Sequence, residues 1–308
     1  MKYRIISIDG GGVYGTVSIV FLRRLLEHYP NLIKETDLFA GTSVGGIIAL
    51  GLAFGYQPEE LQNIFSRWTP LVFKESWYRI ALSYFGIKPK YTNNNLRHFL
   101  TDYFSEHKLS DLKKSVLVPA FSLNSPLLLY GESFPAWRAK FFHNLPGSDS
   151  DGEEKIVDIA MYTTAAPTYF PSVSKYIDGC IASNNPALCA ICQTQDKRVD
   201  LDPRPKLDEI TVLSFGKESA RNYITGTDLD WGWMHWAHPL IKMFLDNDNR
   251  VISYQCRKII GEHYIRVAPL MKGELDVSID QDSEVGELIK FAEEADLTPY
   301  LEQLKKVW

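Results

Sequence analysis

Residues 37–47 read DLFAGTSVGGI, and this stretch decides the fold class. Asp37 to Ala40 is a short strand candidate, and Val44 to Phe54 is a run of small and apolar residues that predicts a buried helix. Between them, Gly41-Thr42-Ser43-Val44-Gly45 fits Gly-x-Ser-x-Gly placed between a strand and a helix. A sharp strand-to-helix turn holds the serine in a strained backbone conformation that projects its hydroxyl. Residues two before and two after must then be tiny, and Gly41 and Gly45 meet that need. The turn also puts the attacking oxygen at the start of a helix, where Val44 and its neighbours offer free N–H groups to developing negative charge. A plain glycine-rich turn is the competing explanation, and the strand–turn–helix context favours the catalytic one.

Upstream, the β-branched run Tyr3 to Ile8 predicts a strand that ends in Asp9-Gly10-Gly11-Gly12. Thr16 to Tyr29 follows with apolar residues at helical spacing. Consecutive glycines let backbone N–H groups converge on one small anion, as the tetrahedral intermediate of acyl transfer requires. Gly10, Gly12 and Gly15 also fit the dinucleotide spacing Gly-x-Gly-x-x-Gly. That alternative needs an acidic residue about 20 positions on. Glu27 falls inside the helix and Asp37 opens the next strand, so an oxyanion loop at Gly10, Gly11 and Gly12 is favoured.

Downstream, strands are expected at Val116 to Leu123, Leu127 to Tyr130, Ala139 to His143, Lys175 to Ile177, Glu209 to Phe215 and Tyr264 to Val267. Helices are expected at Pro58 to Trp68, Lys155 to Thr164, Pro186 to Gln193, Pro239 to Ile260, Ser283 to Ala295 and Pro299 to Val307. Strands and helices alternate for most of the length, which predicts an α/β fold: a three-layer sandwich with a mostly parallel central sheet and helices on both faces. Leu145 to Glu154 is a polar loop. No composition shift marks a domain boundary, so residues 1–308 are expected to form a single domain.

A serine nucleophile needs a group to take its proton. The chain has seven histidines, none in a recognisable catalytic context. Asp178 is better placed. In KYIDGCIASNNPA (175–187) a β-like run ends in Asp-Gly, and Asn185-Pro186 opens a helix. Asp178, Gly10 to Gly12 and Ser43 therefore all follow strand C-termini, the edge where open α/β sheets bind ligands. Alone, Asp-Gly is usually a turn; with the other two motifs the catalytic role is favoured. Desolvation would raise the basicity of such a carboxylate.

Taken together and in this order, Asp9-Gly10-Gly11-Gly12, Gly41-Thr42-Ser43-Val44-Gly45 and Asp178-Gly179-Cys180 resemble the motifs of the patatin-like phospholipases. The run Thr164 to Pro171 (TAAPTYFP) is similar to the family's Ala-Ala-Pro segment. The resemblance covers residues 1–190. It implies a patatin-like fold, a Ser43–Asp178 dyad without a catalytic histidine, and hydrolysis of acyl esters of phospholipids, lysophospholipids or galactolipids with no metal and no cofactor. The chain departs from the family at Tyr14, where Arg or Lys is usual, and at Cys180, where Gly or Ala is usual. The C-terminal third carries no assignable motif. Two other functions stay open. One is transfer of the acyl group to an acceptor other than water; a malonyl-type transferase would offer His where Thr42 stands. The other is a ligand-activated effector that is silent in its basal state.

Composition narrows the partners. With 33 basic and 38 acidic side chains the net charge is −5, so phosphate-backbone binding to nucleic acid is not expected. The longest nearly apolar run, Gly45 to Tyr56, is 12 residues, too short to span a bilayer. The apolar start is broken at Asp9, which argues against a signal-peptide core. Cys180, Cys189, Cys192 and Cys256 make no disulfide framework, and Cys189-x-x-Cys192 lacks the second pair a zinc site would need. A cytoplasmic enzyme is expected, meeting its lipid substrate at a membrane surface through local apolar contact. The aromatic-dense stretch 68–86 is a candidate for that contact, with core packing as the favoured alternative; Trp231, Trp233 and Trp236 pose the same choice.

Overall fold

Alternation along the strands builds the molecule's two cores. In β1 (Tyr3–Ile8), Ile6 and Ile8 pack into one apolar cluster and Tyr3 and Ile5 into another, because successive side chains point to opposite faces. The computed structural model describes residues 2–74, 76–84, 86–129, 131–219, 224–226, 228–271 and 280–308.

Following β1 come α1 (Gly15–His28), α2 (Leu32–Glu35), β2 (Leu38–Gly41), α3 (Val44–Phe54), α4 (Pro58–Val72), α5 (Trp77–Tyr84) and α6 (Asn94–Phe104). The middle of the chain forms β3 (Ser115–Leu129), β4 (Glu132–His143), α7 (Ile156–Thr163), β5 (Tyr176–Ile177) and α8 (Ala187–Gln195). The last third forms β6 (Ile210–Phe215), β7 (Glu218–Ser219), α9 (Trp233–Ile260), β8 (Tyr264–Val267), β9 (Leu270–Met271), α10 (Val285–Glu294) and α11 (Thr298–Val307).

The central sheet runs in the order β4-β3-β2-β1-β6-β8, with β5 paired to β3. β3, β2, β1, β6 and β8 are mutually parallel. β4 and β5 pair antiparallel to β3, so the sheet is mixed at one end. The larger core covers the face that carries α1, α3, α4, α6 and α7. The smaller core packs Ala187, Ala190 and Ile191 of α8 and Ile252, Cys256 and Ile260 of α9 on the opposite face. This is an α/β fold with helices on both sides of the sheet.

Three differences from the expected elements have physical causes. The segments expected as strands at 116–123, 127–130 and 139–143 join into one long hairpin, β3–β4, with a register shift between Ser122 and Ser125 absorbing the irregularity. Helix α9 begins at Trp233 instead of Pro239, since Trp231 packs against Trp236 at 5.1 Å across the helix start, the staple arrangement that fixes an N-terminus. α5 and α6 were not anticipated. α6 is held by Leu96, Phe99, Leu100 and Phe104, all buried on one face.

Candidate active site

The turn between β2 and α3 is shaped by crowding. A Cβ on Gly41 would stand 2.0 Å from the Gly45 carbonyl oxygen, and one on Gly45 would stand 2.4 Å from that of Ile8. Strand, turn and helix can close on one another only with hydrogen at both positions. Between them Ser43 has φ 54° and ψ −126°, a conformation that L side chains rarely adopt. The Thr163 hydroxyl, at the end of α7, accepts the Ser43 N–H at 2.9 Å and helps hold that strained geometry. The Thr42 hydroxyl donates to the Ser183 carbonyl at 2.8 Å.

Ser43 Oγ donates to Asp178 Oδ2 at 2.7 Å. Asp178 reaches this position because β5 pairs with β3 and the Asp178 N–H donates to the Ala165 carbonyl at 3.0 Å. Its other oxygen, Oδ1, accepts the Cys180 N–H at 2.8 Å. Gly179 is not serving a left-handed turn; a Cβ there would stand 2.2 Å from the Pro119 carbonyl oxygen of β3. The Cys180 side chain leaves Asp178 within reach of Ser43. Asp178 is 1% exposed. Burial raises its carboxyl from the ordinary 3.8 to about 6, against the pull of the Cys180 N–H and the Ser43 hydroxyl.

The glycine loop after β1 lies beside this pair. A Cβ on Gly10 would stand 3.3 Å from Ser43 Cβ. Gly10 is already engaged, since its N–H donates to the Asn184 carbonyl at 3.1 Å. Among the described residues no acceptor takes the N–H of Gly11, Gly12 or Val44. Asp9 turns inward and forms a two-point ion pair with Arg266 of β8, Nη1 to Oδ1 at 2.8 Å, with both side chains buried. Burial works against the Arg266 charge, but the Asp9 carboxylate outweighs it and holds the guanidinium above its ordinary value. Lys217, just past β6, sits 4.0 Å above the Tyr14 ring, so a cation stands beside the loop although Tyr14 replaces the basic residue usual there.

An apolar pocket opens at Ser43, lined by Val44, Phe65, Trp68, Phe99, Tyr169 and Phe170 among others. The aromatic stretch 68–86 thus divides. Trp68, Val72 and Phe73 line the pocket, whereas Leu71 and Tyr84, with Ile87 just past the stretch, are 43%, 87% and 64% exposed. Ala166 and Tyr169, from TAAPTYFP, also face the pocket. Among the described residues no histidine lines it; His235 is exposed on α9. Cys189 and Cys192 are free thiols on α8.

Four residues around the site carried no motif: Thr163, Asn184, Asp248 and Arg266. Asp248 of α9 accepts the Asn184 N–H at 2.8 Å, and so braces the turn that holds Gly10. Thr163 adjoins the TAAPTYFP run and Asn184 lies within the segment that carries Asp178, whereas Asp248 and Arg266 lie in no recognised segment.

A model of the patatin-like phospholipases matches residues 6–191. The protein teg of Priestia megaterium is 28% identical over 333 positions, which span 100% of this chain and 99% of that one. A cGAMP-activated phospholipase of Escherichia coli is 31% identical over 231 positions, covering 70% of this chain and 62% of its own length. Among solved structures, VipD from Legionella pneumophila aligns over 94% of this chain and 67% of its own, at 11% identity and a TM-score of 0.40.

Proposed function

The chain belongs to the patatin-like phospholipase family, and from that premise we propose that it hydrolyses acyl ester bonds of phospholipids or lysophospholipids with Ser43 as nucleophile and Asp178 as general base. The observation that carries this is the 2.7 Å hydrogen bond from Ser43 to a buried carboxylate at the mouth of an apolar pocket. Ser43 Oγ attacks the ester carbonyl as its proton passes to Asp178 Oδ2. The tetrahedral oxyanion is taken by the N–H groups of Gly11, Gly12 and Val44. Collapse expels the glycerol oxygen, which receives the proton from Asp178. A water molecule, deprotonated by the same carboxylate, then releases the fatty acid from Ser43. A base whose carboxyl titrates at about 6 is ionised at neutral pH yet stronger than an exposed aspartate.

The acyl chain lies along Phe65, Phe99 and Phe170. The exposed Leu71, Tyr84 and Ile87, on the segment that follows the pocket residue Trp68, contact the lipid surface. No helix among the described residues is long and apolar enough to cross a membrane.

The test is hydrolysis of a short soluble ester and of phosphatidylcholine vesicles, with the products identified. Ser43→Ala is expected to lower the rate on both by at least ~10⁴-fold. Transfer to an added alcohol in preference to water would make the protein a transacylase instead.

A further inference from the structure

Beside the glycine loop, and sharing no lining residue with the apolar pocket, lies a polar groove of about 250 Å³, between β7, the C-terminal half of α9 and β8. Lys217, Arg250, Arg257 and Arg266 line it, with Ser253 and Tyr254 supplying hydroxyls; Asn249 and the carboxylate Glu218 complete it. Four cations against one acid reverse the balance of a chain with 33 basic and 38 acidic side chains. Arg266 shares its charge with Asp9, and Arg257 carries no ion pair among the described residues. Guanidinium groups and hydroxyls converging on a concave site suit a phosphate group, which accepts charge-assisted hydrogen bonds from several directions.

The groove is wired to the loop at three points. Arg266 holds Asp9 at the loop's start. Lys217 lies over Tyr14 at its end. Asn249 accepts from Asn184 Nδ2 at 3.1 Å, and the Asn184 carbonyl holds the Gly10 N–H. Every one of these contacts comes from a groove residue or its immediate partner.

We propose that this groove binds a phosphate-bearing anion and that its occupation fixes the glycine loop, raising the rate at Ser43. The coupling rests on the function proposed above; the binding does not. An anion held by Arg257 draws the neighbouring cations toward it, and Arg266, paired with Asp9, and Lys217, over Tyr14, carry that constraint to the glycine loop.

The test is calorimetry with diphosphate, and flotation with vesicles of phosphatidylcholine with or without phosphatidic acid, on the wild type, Arg257→Glu and Lys197→Glu. Lys197 lies past the far end of α8 and makes the same charge change away from the groove. Diphosphate binding marks a soluble ligand, and capture by phosphatidic acid without diphosphate binding marks a lipid head group. In either case Arg257→Glu is expected to weaken binding by at least about tenfold and Lys197→Glu by less than about twofold. No binding in either arm, or equal loss in both variants, overturns the groove. Bound anion is expected to raise ester hydrolysis severalfold in the wild type and to leave Arg257→Glu at its basal rate; an unchanged or lower wild-type rate overturns the coupling. If Ser43 also fails to react with a fluorophosphonate, the function at Ser43 falls, while the calorimetry still decides the groove.

Discussion

Two loops meet at the same edge of the sheet and are held there by opposite means. The turn at Ser43 is fixed mainly by close packing: Gly41 and Gly45 leave no room for a side chain, and hydrogen bonds to Thr163 and Ser183 only reinforce a backbone already closed on itself. The loop at Gly10 to Gly12 is fixed from a distance, by Arg266 on Asp9, by Asn184 on Gly10, and by Asp248 behind Asn184. Close packing of a short turn tolerates no change at its glycines, whereas a loop tied by polar partners has the adjustability that a charged ligand can exploit.

After Ser43→Ala, the largest expected effect falls on the base that serves Ser43. Asp178→Asn removes the base without changing its shape and should lower turnover by about 10³-fold. The same change should stabilise the fold. The folded-state carboxyl at about 6 lies above its ordinary 3.8, so ionising Asp178 opposes folding. The stability it contributes is complete below about pH 4 and is lost as pH rises through about 6. Asp178→Asn should therefore gain up to about 3 kcal/mol at pH 8 and nothing at pH 4, read by chemical denaturation at the two pH values.

Arg266→Met comes next and separates the two anchoring schemes. Leaving Asp9 buried and unpaired should cost about 3–5 kcal/mol. In protein that remains folded at low temperature, kcat should fall more than about tenfold, by displacement of Gly11 and Gly12. Retained kcat in a destabilised protein would make the ion pair purely structural. Asp248→Asn leaves a weaker acceptor for the Asn184 N–H and should lower kcat only a few-fold, with stability reduced by about 1 kcal/mol.

The smallest effect concerns the exposed apolar side chains after Trp68. Leu71→Ser combined with Ile87→Ser should slow vesicle hydrolysis several-fold and leave the soluble ester untouched, because the exposed side chains meet lipid and not the reacting atoms. Equal loss on both substrates would return these residues to a structural role.

The same contrast explains what the sequence makes legible. β1, α1, α3 and β8 follow from local periodicity, and the expected bounds of β1, α3 and β8 coincide with those observed. Ser43 and Asp178 stand 135 positions apart; the sequence places both after strands, but β5 runs antiparallel to β3 and so points opposite to β2, and Asp178 reaches Ser43 through the pairing of β5 with β3 and not by following a strand of the same direction. Gly10 was legible as a loop residue but not as a donor already engaged, since its partner is the carbonyl of Asn184, which no side-chain pattern announces. Arg266 and Asp248 were illegible for the same reason: a buried ion pair between β8 and the β1 loop has no spacing to read. The β3–β4 hairpin was broken into pieces because Pro126 and Pro135, which stand opposite each other, interrupt the strand signal.

The central claim is that a buried aspartate activates Ser43, and the most direct test is the rate at which a fluorophosphonate modifies Ser43, followed by mass spectrometry from pH 4 to pH 9. Labelling should rise with pH through a midpoint near 6, the value to which burial lifts Asp178, and should be nearly abolished across the whole range in Asp178→Asn. A rate that does not vary with pH across that midpoint, or labelling of Asp178→Asn within a few-fold of the wild type, would contradict the dyad.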